Sequence, residues 1–178
     1  MTLDELRDSI PDYAKDLRLN LGSVLAPAGA PGLNERQIWM VAVASAIASR
    51  NDEFAHRLES LAASALDGPS LAAAKSAAAI MGMNNIYYRF THLAEDGDYR
   101  TMPARLRMNV IGSPGIDKAD FELLSLAVSA VNGCGMCVNA HDAVLKKHGV
   151  SREAVQSAVR IAAVVHAVAG VLAYEAAA

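Results

Sequence analysis

Two cysteines and one histidine, grouped in the last third of the chain, are the residues best suited to do chemistry. Cys134 and Cys137 are the only cysteines among the 178 residues, and His141 follows one helical turn beyond the second of them. Two thiols separated by two residues can form a reversible disulfide, and a nearby imidazole can accept a thiol proton. The spacing therefore predicts thiol redox chemistry, such as attack of a thiolate on a peroxide or a disulfide.

The residues around the pair predict that it opens an α-helix that reaches Lys147. On such a helix Cys137 and His141 share a face, because residues four apart are neighbours. Gly133 precedes the predicted start, so Cys134 lies near the positive end of the helix dipole, which favours a thiolate. From the residues alone, Cys134 is the more activated thiol of the two.

Two other interpretations of the cysteine pair stay open at this point. Both cysteines could be small buried apolar residues with no chemistry. Alternatively, Cys134, Cys137 and His141 could supply three ligands to zinc, although structural zinc sites are normally closed by four. No second Cys-x-x-Cys or His-x3-His pattern is present to complete such a site.

Glu122 is the next candidate, because it is a carboxylate in a strongly apolar segment that also contains Phe121 and Leu123. Spacing alone favours the solvent face for this side chain. A carboxylate oriented toward His141 would instead raise the basicity of the imidazole and fix its tautomer. His166, which lies among valines, is predicted to be a core or interface residue.

Composition predicts an all-α fold that positions these residues. The chain is 53% hydrophobic but only 5% aromatic, and its abundant alanine favours closely packed helices. The hydrophobic periodicity and the capping residues predict two short helices over Leu3–Leu21, broken at Pro11. Four further helices are predicted over Asn34–Arg50, Asp52–Ala65, Ser70–Ala94 and Pro103–Val110. The last three helices are predicted to start at Asp117, at the cysteine pair and at Ser151; the second of them reaches Lys147 and is followed by Gly149, and the third runs to the C-terminus.

The chain is expected to be a single domain over residues 1–178. Val41–Ile47 is echoed by Leu126–Val131, which predicts a duplicated arrangement with halves of about 1–98 and 99–178 that share one core. The net charge of −3 gives no reason to expect nucleic-acid binding. Met1–Arg7 lacks the apolar core of a signal peptide, and the apolar stretch Ile161–Tyr174 is too short to span a membrane. We therefore expect a cytoplasmic protein that does not bind membranes.

The pattern Glu122-x11-Cys134-x2-Cys137-x3-His141 resembles the active-site signature of the alkylhydroperoxidase D family, in the larger carboxymuconolactone decarboxylase-like superfamily. Further stretches that resemble the family cover most of the chain: Pro11–Asp16, Ile80–Asn85, Leu106–Asn109 and Phe121–Leu123. The resemblance implies a compact all-α fold, a homotrimer and an antioxidant peroxidase that acts on organic peroxides with no bound cofactor or metal.

By position, the resemblance assigns Cys137 as the peroxidatic thiol that becomes the sulfenic acid. Cys134 would be the resolving thiol and a proton donor. Glu122 and His141 would form a proton relay, which replaces the solvent-face prediction for Glu122. One departure stands out, since better-known members carry a histidine before the second cysteine and this chain has Met136.

The resemblance also implies partners. Electrons would come from an external dihydrolipoamide group on a lipoylated acyltransferase subunit, itself reduced by dihydrolipoamide dehydrogenase. The family enzyme also reduces the peroxiredoxin alkyl hydroperoxide reductase C. No nucleotide-binding G-x-G-x-x-G is present in the chain, in keeping with an outside donor. Two alternatives remain: a dithiol adaptor between the lipoyl protein and the peroxiredoxin, and a decarboxylase-like lyase of the same superfamily.

Overall fold

The computed structural model describes residues 1–177 and confirms the all-α prediction. Within that range the chain forms nine α-helices joined by turns, with no β-strand. Three short 3₁₀ turns lie at Asp12–Ala14, Pro27–Gly29 and Gly97–Arg100. The α-helices are α1 (Leu3–Asp8), α2 (Lys15–Val24), α3 (Glu35–Ala48), α4 (Asp52–Ala62), α5 (Gly68–Leu93), α6 (Asn109–Gly112), α7 (Lys118–Val131), α8 (Gly135–Lys147) and α9 (Arg152–Ala176).

The predicted helix starts at Asn34, Asp117 and Ser151 are confirmed as N-caps. The Asn34 side chain accepts a hydrogen bond from the Gln37 N–H at 2.9 Å, and Gln37 accepts one in return at 3.0 Å. This reciprocal pair is a capping box, which satisfies two N–H groups that the first turn leaves unpaired. Gly149 ends α8 as predicted, with φ of 74° and the Val150 N–H bonded back to Leu145, an arrangement typical of a Schellman motif.

Helices α3 and α7 form the centre of the core. They pack against each other, and α5 and α9 pack against both. Residues 40–46 of α3 and residues 120–129 of α7 are all buried. Since α7 is buried on every side over this stretch, a polar side chain there must find a partner inside the protein.

Two predicted helices differ in the structure. The prediction of a helix over Pro103–Val110 is wrong. Arg105 has φ of 51°, a left-handed conformation that a right-handed helix does not contain. Only α6, which starts at Asn109, forms nearby. Helix α5 begins at Gly68 rather than Ser70, because the Asp67 side chain caps it by accepting the Ser70 N–H at 2.8 Å.

Three successive helices in each half of the chain have similar lengths in the same order. Helices α3, α4 and α5 have 14, 11 and 26 residues, and α7, α8 and α9 have 14, 13 and 25. The turn before α4 and the turn before α8 also match, since Arg50 and Gly133 have φ of 60° and 68° and each precedes the N-cap. The duplication itself stays a prediction.

Helix α9 is longer than the apolar stretch read from the sequence. Its 25 residues are long and apolar enough to cross a membrane by length and composition alone. A core helix of a globular protein meets the same criterion, and 39% of the most apolar window of α9 is buried inside the chain, where the helix packs against α2, α3 and α7.

Candidate active site

The cysteine pair lies at the start of α8 and is joined as a disulfide. The sulfur atoms are 2.11 Å apart, and the Cα atoms are 5.3 Å apart. Cys134 is the N-cap of α8, and its Sγ accepts a hydrogen bond from the Cys137 N–H at 3.3 Å. Gly133 provides the positive φ that lets the chain turn from α7 into this cap. The predicted position of Cys134 at the positive end of a helix is confirmed.

The two cysteines differ in accessibility. Cys134 is completely buried, whereas Cys137 is 6% exposed and lines a cavity that also contains His141. A molecule entering the cavity therefore contacts Cys137 and not Cys134. Accessibility thus favours Cys137 as the residue that a substrate meets, whereas the helix dipole favours a thiolate on Cys134, because the dipole acts most strongly at the N-cap.

Glu122 projects from α7 into the protein and contacts His141 on α8. The carboxylate Oε2 is 2.6 Å from Nδ1 of His141, and Glu122 is buried. The solvent-face position that spacing alone favoured is wrong, because α7 has no solvent face at this level. An ionised carboxylate can only accept hydrogen bonds, so Nδ1 of His141 donates and Nε2 is left to accept a proton.

Lys118 is a further member of this site that the sequence reading missed. It lies one helical turn before Glu122 on α7, and its Nζ is 2.7 Å from the second carboxylate oxygen, Oε1. The same ammonium donates to the carbonyl of Ile111 at 2.7 Å. The signal in the sequence was the lysine and glutamate four residues apart, a spacing that brings two side chains together on a helix.

The environment of Glu122 keeps it ionised. Burial alone raises the pKa of this carboxyl group, but hydrogen bonds from His141 and Lys118, together with their charges, outweigh burial and hold the pKa below its ordinary value. One carboxylate is therefore held between an imidazole and an ammonium. Such a carboxylate orients His141 and stabilises the imidazolium form when the ring takes a proton.

A cavity of about 340 Å³ gives outside molecules a route to the cysteine pair. Most of its wall is apolar, which suits the organic part of a substrate better than a charged group. It is lined by Met81, Asn84, Tyr88, Met108, Ile111, Met136, Cys137, Ala140 and His141. Met136, at the position where the resemblance implies a histidine, thus lies on this wall.

A buried hydrogen-bond network supports the turn that carries Cys134. Asn85 of α5 donates to the Ser129 hydroxyl at 2.8 Å and accepts from the Asn132 amide at 2.9 Å. The Cys134 N–H donates to the Ser129 carbonyl at 3.0 Å. These contacts fix residues 129–134 on α5, so the position of the disulfide depends on a helix far away in the sequence.

Side-chain positions bear on two other sequence predictions. Over residues 1–177, no group of three or more histidine, cysteine, aspartate or glutamate side chains is arranged to hold a metal ion. His166 is exposed on α9, with Nδ1 3.1 Å from the Ser49 hydroxyl, so it does not lie in the core of this chain, and its place at an interface stays a prediction. The small neighbours Ala163 and Gly170 are exposed with it, and this face of α9 is not core.

Comparison with known proteins gives matches over nearly the whole chain. A model of the carboxymuconolactone decarboxylase family matches residues 97–178, which include α7, α8 and all four predicted site residues. An alkyl hydroperoxide reductase AhpD of Rhodospirillum centenum is 56% identical over 177 residues, covering 99% of this chain and 94% of the relative. A protein of the same name from Rhodopseudomonas palustris is 58% identical over 169 residues, covering 95% and 92%, and one from Hyphomonas neptunium is 56% identical, covering 99% and 97%. The chain belongs to the alkylhydroperoxidase D family, in the carboxymuconolactone decarboxylase-like superfamily.

Proposed function

We propose that this protein is an antioxidant alkyl hydroperoxide reductase that works through a Cys134–Cys137 dithiol–disulfide cycle. One observation carries the proposal: a disulfide at a helix N-terminus faces an apolar cavity beside an imidazole that a buried carboxylate orients. Relatives that are 56–58% identical carry the name alkyl hydroperoxide reductase. The cavity admits an organic hydroperoxide, and the cysteine pair supplies the two electrons needed to reduce it.

In the oxidative half of the cycle, Cys137 attacks the hydroperoxide. His141 takes the thiol proton, and the Cys137 sulfur bonds to the terminal peroxide oxygen as the O–O bond breaks. The products are a sulfenic acid on Cys137 and an alkoxide, which becomes the alcohol by taking the proton from His141. Cys134 then attacks the sulfenic sulfur, so that the disulfide forms and water leaves with the second thiol proton.

The accessibility of the two sulfurs supports Cys137 as the attacking residue. Cys134 is fully buried behind it, in a position to resolve the sulfenic acid but not to meet a substrate first. The helix dipole favours a thiolate on Cys134, and this suits a resolving thiol equally well. Glu122 and His141 act as the relay in both steps, because each step moves one proton away from a thiol.

The reductive half of the cycle requires an outside dithiol. Two thiols of a dihydrolipoyl group would reduce the disulfide by exchange through a mixed disulfide. Family resemblance supports a lipoylated acyltransferase subunit with dihydrolipoamide dehydrogenase as the donor, and the peroxiredoxin alkyl hydroperoxide reductase C as a further acceptor. No bound cofactor is needed, since each half-reaction transfers two electrons between sulfur and its partner.

We further propose a cytoplasmic homotrimer. Ile86, Phe90 and Leu93 follow one another at helical spacing on α5, and each is exposed by half or more in the single chain. An apolar stripe of this kind is typical of a surface covered by a partner, and a second copy of the chain is the occupant that the family implies. Sedimentation equilibrium of the purified protein tests the trimeric state, and a monomer at micromolar concentration would overturn the trimer.

Consumption of cumene hydroperoxide with dihydrolipoamide as the only reductant tests the function. The wild-type protein is expected to turn over, and Cys137→Ser is expected to be inactive. Cys134→Ser is the matched variant, and in a single oxidation without added dithiol it is expected to stop with a sulfenic acid on Cys137 that dimedone traps. A lyase would survive Cys137→Ser, and a dithiol adaptor would reduce a disulfide partner without consuming hydroperoxide, so either result would refute the peroxidase.

A further inference from the structure

Asn84 carries a buried polar atom that the fold leaves without a partner. The residue is 4% exposed, it lies on α5, and it lines the cavity together with Cys137 and His141. Its Oδ1 is buried, yet no donor among the described residues reaches it. Folded proteins pair nearly all such atoms, so an unpaired one in a cavity beside reactive groups points to a ligand.

The neighbouring residue shows that the fold can satisfy a buried amide at this level of α5. Asn85 is also fully buried, but its amide nitrogen donates to Ser129 and its oxygen accepts from Asn132. The two asparagines therefore differ in surroundings, because Asn85 is paired within the helix packing whereas Asn84 lines the cavity. Only the cavity-lining amide is left unpaired, and a turn about its Cβ–Cγ bond would bring the buried Oδ1 to the cavity wall.

We propose that Asn84 binds the hydroperoxide group of the substrate. This inference rests on the peroxidase function proposed above and adds a residue that orients the reacting oxygen. In an organic hydroperoxide only the terminal oxygen carries hydrogen, so it alone can donate to Oδ1 of Asn84. The hydrogen bond would place that oxygen against Cys137 and leave the carbon-bearing oxygen directed toward His141.

This orientation decides which oxygen the sulfur attacks. Attack on the terminal oxygen forms the S–O bond, breaks the O–O bond and expels the alkoxide, which takes the proton held by His141. The organic group would lie along the apolar wall that includes Met81, Met108 and Ile111. Asn84 thus selects for the O–H of a peroxide, while the apolar wall accepts organic groups that carry no polar atoms of their own.

Two substitutions of Asn84 test the proposal. Asn84→Leu removes the acceptor at similar volume, and Asn84→Ala removes it and enlarges the cavity. For both variants, single-turnover oxidation of the reduced protein by cumene hydroperoxide should slow about tenfold, the effect of one lost hydrogen bond at the reacting group. Alkylation of the same reduced thiols by iodoacetamide should stay within about twofold of wild type, because that reaction forms no hydrogen bond to a peroxide.

The outcomes separate this proposal from the function on which it rests. A wild-type protein that does not react with cumene hydroperoxide would overturn the peroxidase function. A reactive wild type with both variants unchanged would overturn the role of Asn84 alone. Slower alkylation in parallel, or opposite effects of leucine and alanine, would also overturn it, since these results indicate a general disturbance or a change in cavity size. Thermal unfolding of Asn84→Leu at or above the wild-type temperature would support it, because this variant removes an unpaired buried polar group at similar volume.

Discussion

Asn85 is predicted to hold the redox turn in place, and Asn85→Ala is the substitution that tests this. The variant removes the hydrogen bonds to Ser129 and Asn132 at 2.8 and 2.9 Å. Each is worth about 1 kcal/mol, and leaving the buried Ser129 hydroxyl unpaired costs about 1 kcal/mol more. The free energy of unfolding should therefore fall by about 3 kcal/mol.

Thermal unfolding followed by circular dichroism measures this loss. For a chain of this length, about 3 kcal/mol lowers the unfolding temperature by roughly 6–12 °C. Wild type and variant must be compared at one protein concentration and in one redox state, because both affect apparent stability. A decrease of less than about 2 °C would refute the reasoning, since the amide would then contribute nothing that water could not replace.

A double-mutant cycle with Ser129→Ala assigns the effect to the hydrogen bond. If the two side chains act through their contact, the double variant should lose about 1 kcal/mol less than the sum of the single variants. Arg89→Ala is a control on the same turn, because Arg89 donates to the Asn132 carbonyl from an exposed position. Its loss is expected to cost well under 1 kcal/mol, and additive effects of the Asn85 and Ser129 substitutions would exclude coupling.

The same variant has a chemical consequence, because the Cys134 N–H bonds to the Ser129 carbonyl. In the proposed cycle, a looser turn would hold Cys134, the resolving thiol, less well against the sulfenic acid on Cys137. The disulfide should then form more slowly, and more of Cys137 should oxidise on to sulfinic acid under excess hydroperoxide. Intact-protein mass spectrometry measures the sulfinic fraction, and an unchanged fraction would show that the turn keeps its geometry without Asn85.

Three further predictions concern the relay. Glu122→Gln and His141→Phe should each lower the peroxide rate by about 10²-fold, the lower end of what a positioned acid–base group supplies, and unchanged rates would exclude the relay. Lys118→Met should raise the pKa of Glu122, because a cation that lowers this pKa is removed. In the wild type, the ionised carboxylate stabilises the fold at neutral pH and loses that effect as the pH falls below 4.5, its ordinary pKa, so the variant should lose activity and stability at higher pH than wild type. Lys118→Arg should restore the wild-type pH profile, and identical profiles of wild type and Lys118→Met would contradict the ion pair. Met136→His should raise the rate at neutral pH by about tenfold, less than a full acid–base contribution because a relay is already present, and an equal rate would show that a second imidazole is dispensable.

The parts of the site that the sequence predicted are those that lie within one helix. Cys134, Cys137 and His141 share the first turns of α8, so their spacing was enough to place them together. The burial of Glu122 did not follow from spacing, because α7 is buried on all sides over residues 120–129 and has no amphipathic pattern to indicate a direction. The family resemblance supplied that position.

Contacts between helices distant in sequence could not be predicted in this way. Asn84 and Asn85 lie on α5 and approach the cysteine pair only after α5, α7 and α8 pack together. The sequence shows two adjacent asparagines in an apolar helix but not which one is partnered. The helix prediction over Pro103–Val110 was wrong for another reason. Arg105 has a left-handed backbone conformation, and the sequence does not indicate it because arginine rarely adopts that conformation.

The turn that carries the disulfide also occurs without sulfur in the first half of the chain. Asn51 is the N-cap of α4, and its side chain accepts the N–H of Phe54. Cys134 caps α8 in the same way and accepts the N–H of Cys137, and a residue with positive φ precedes each cap. Since an asparagine and a phenylalanine maintain this turn, its geometry comes from the helix cap and not from the S–S bond. In the proposed redox cycle, the Cys134–Cys137 disulfide would therefore open and close on a turn that the helix cap already defines.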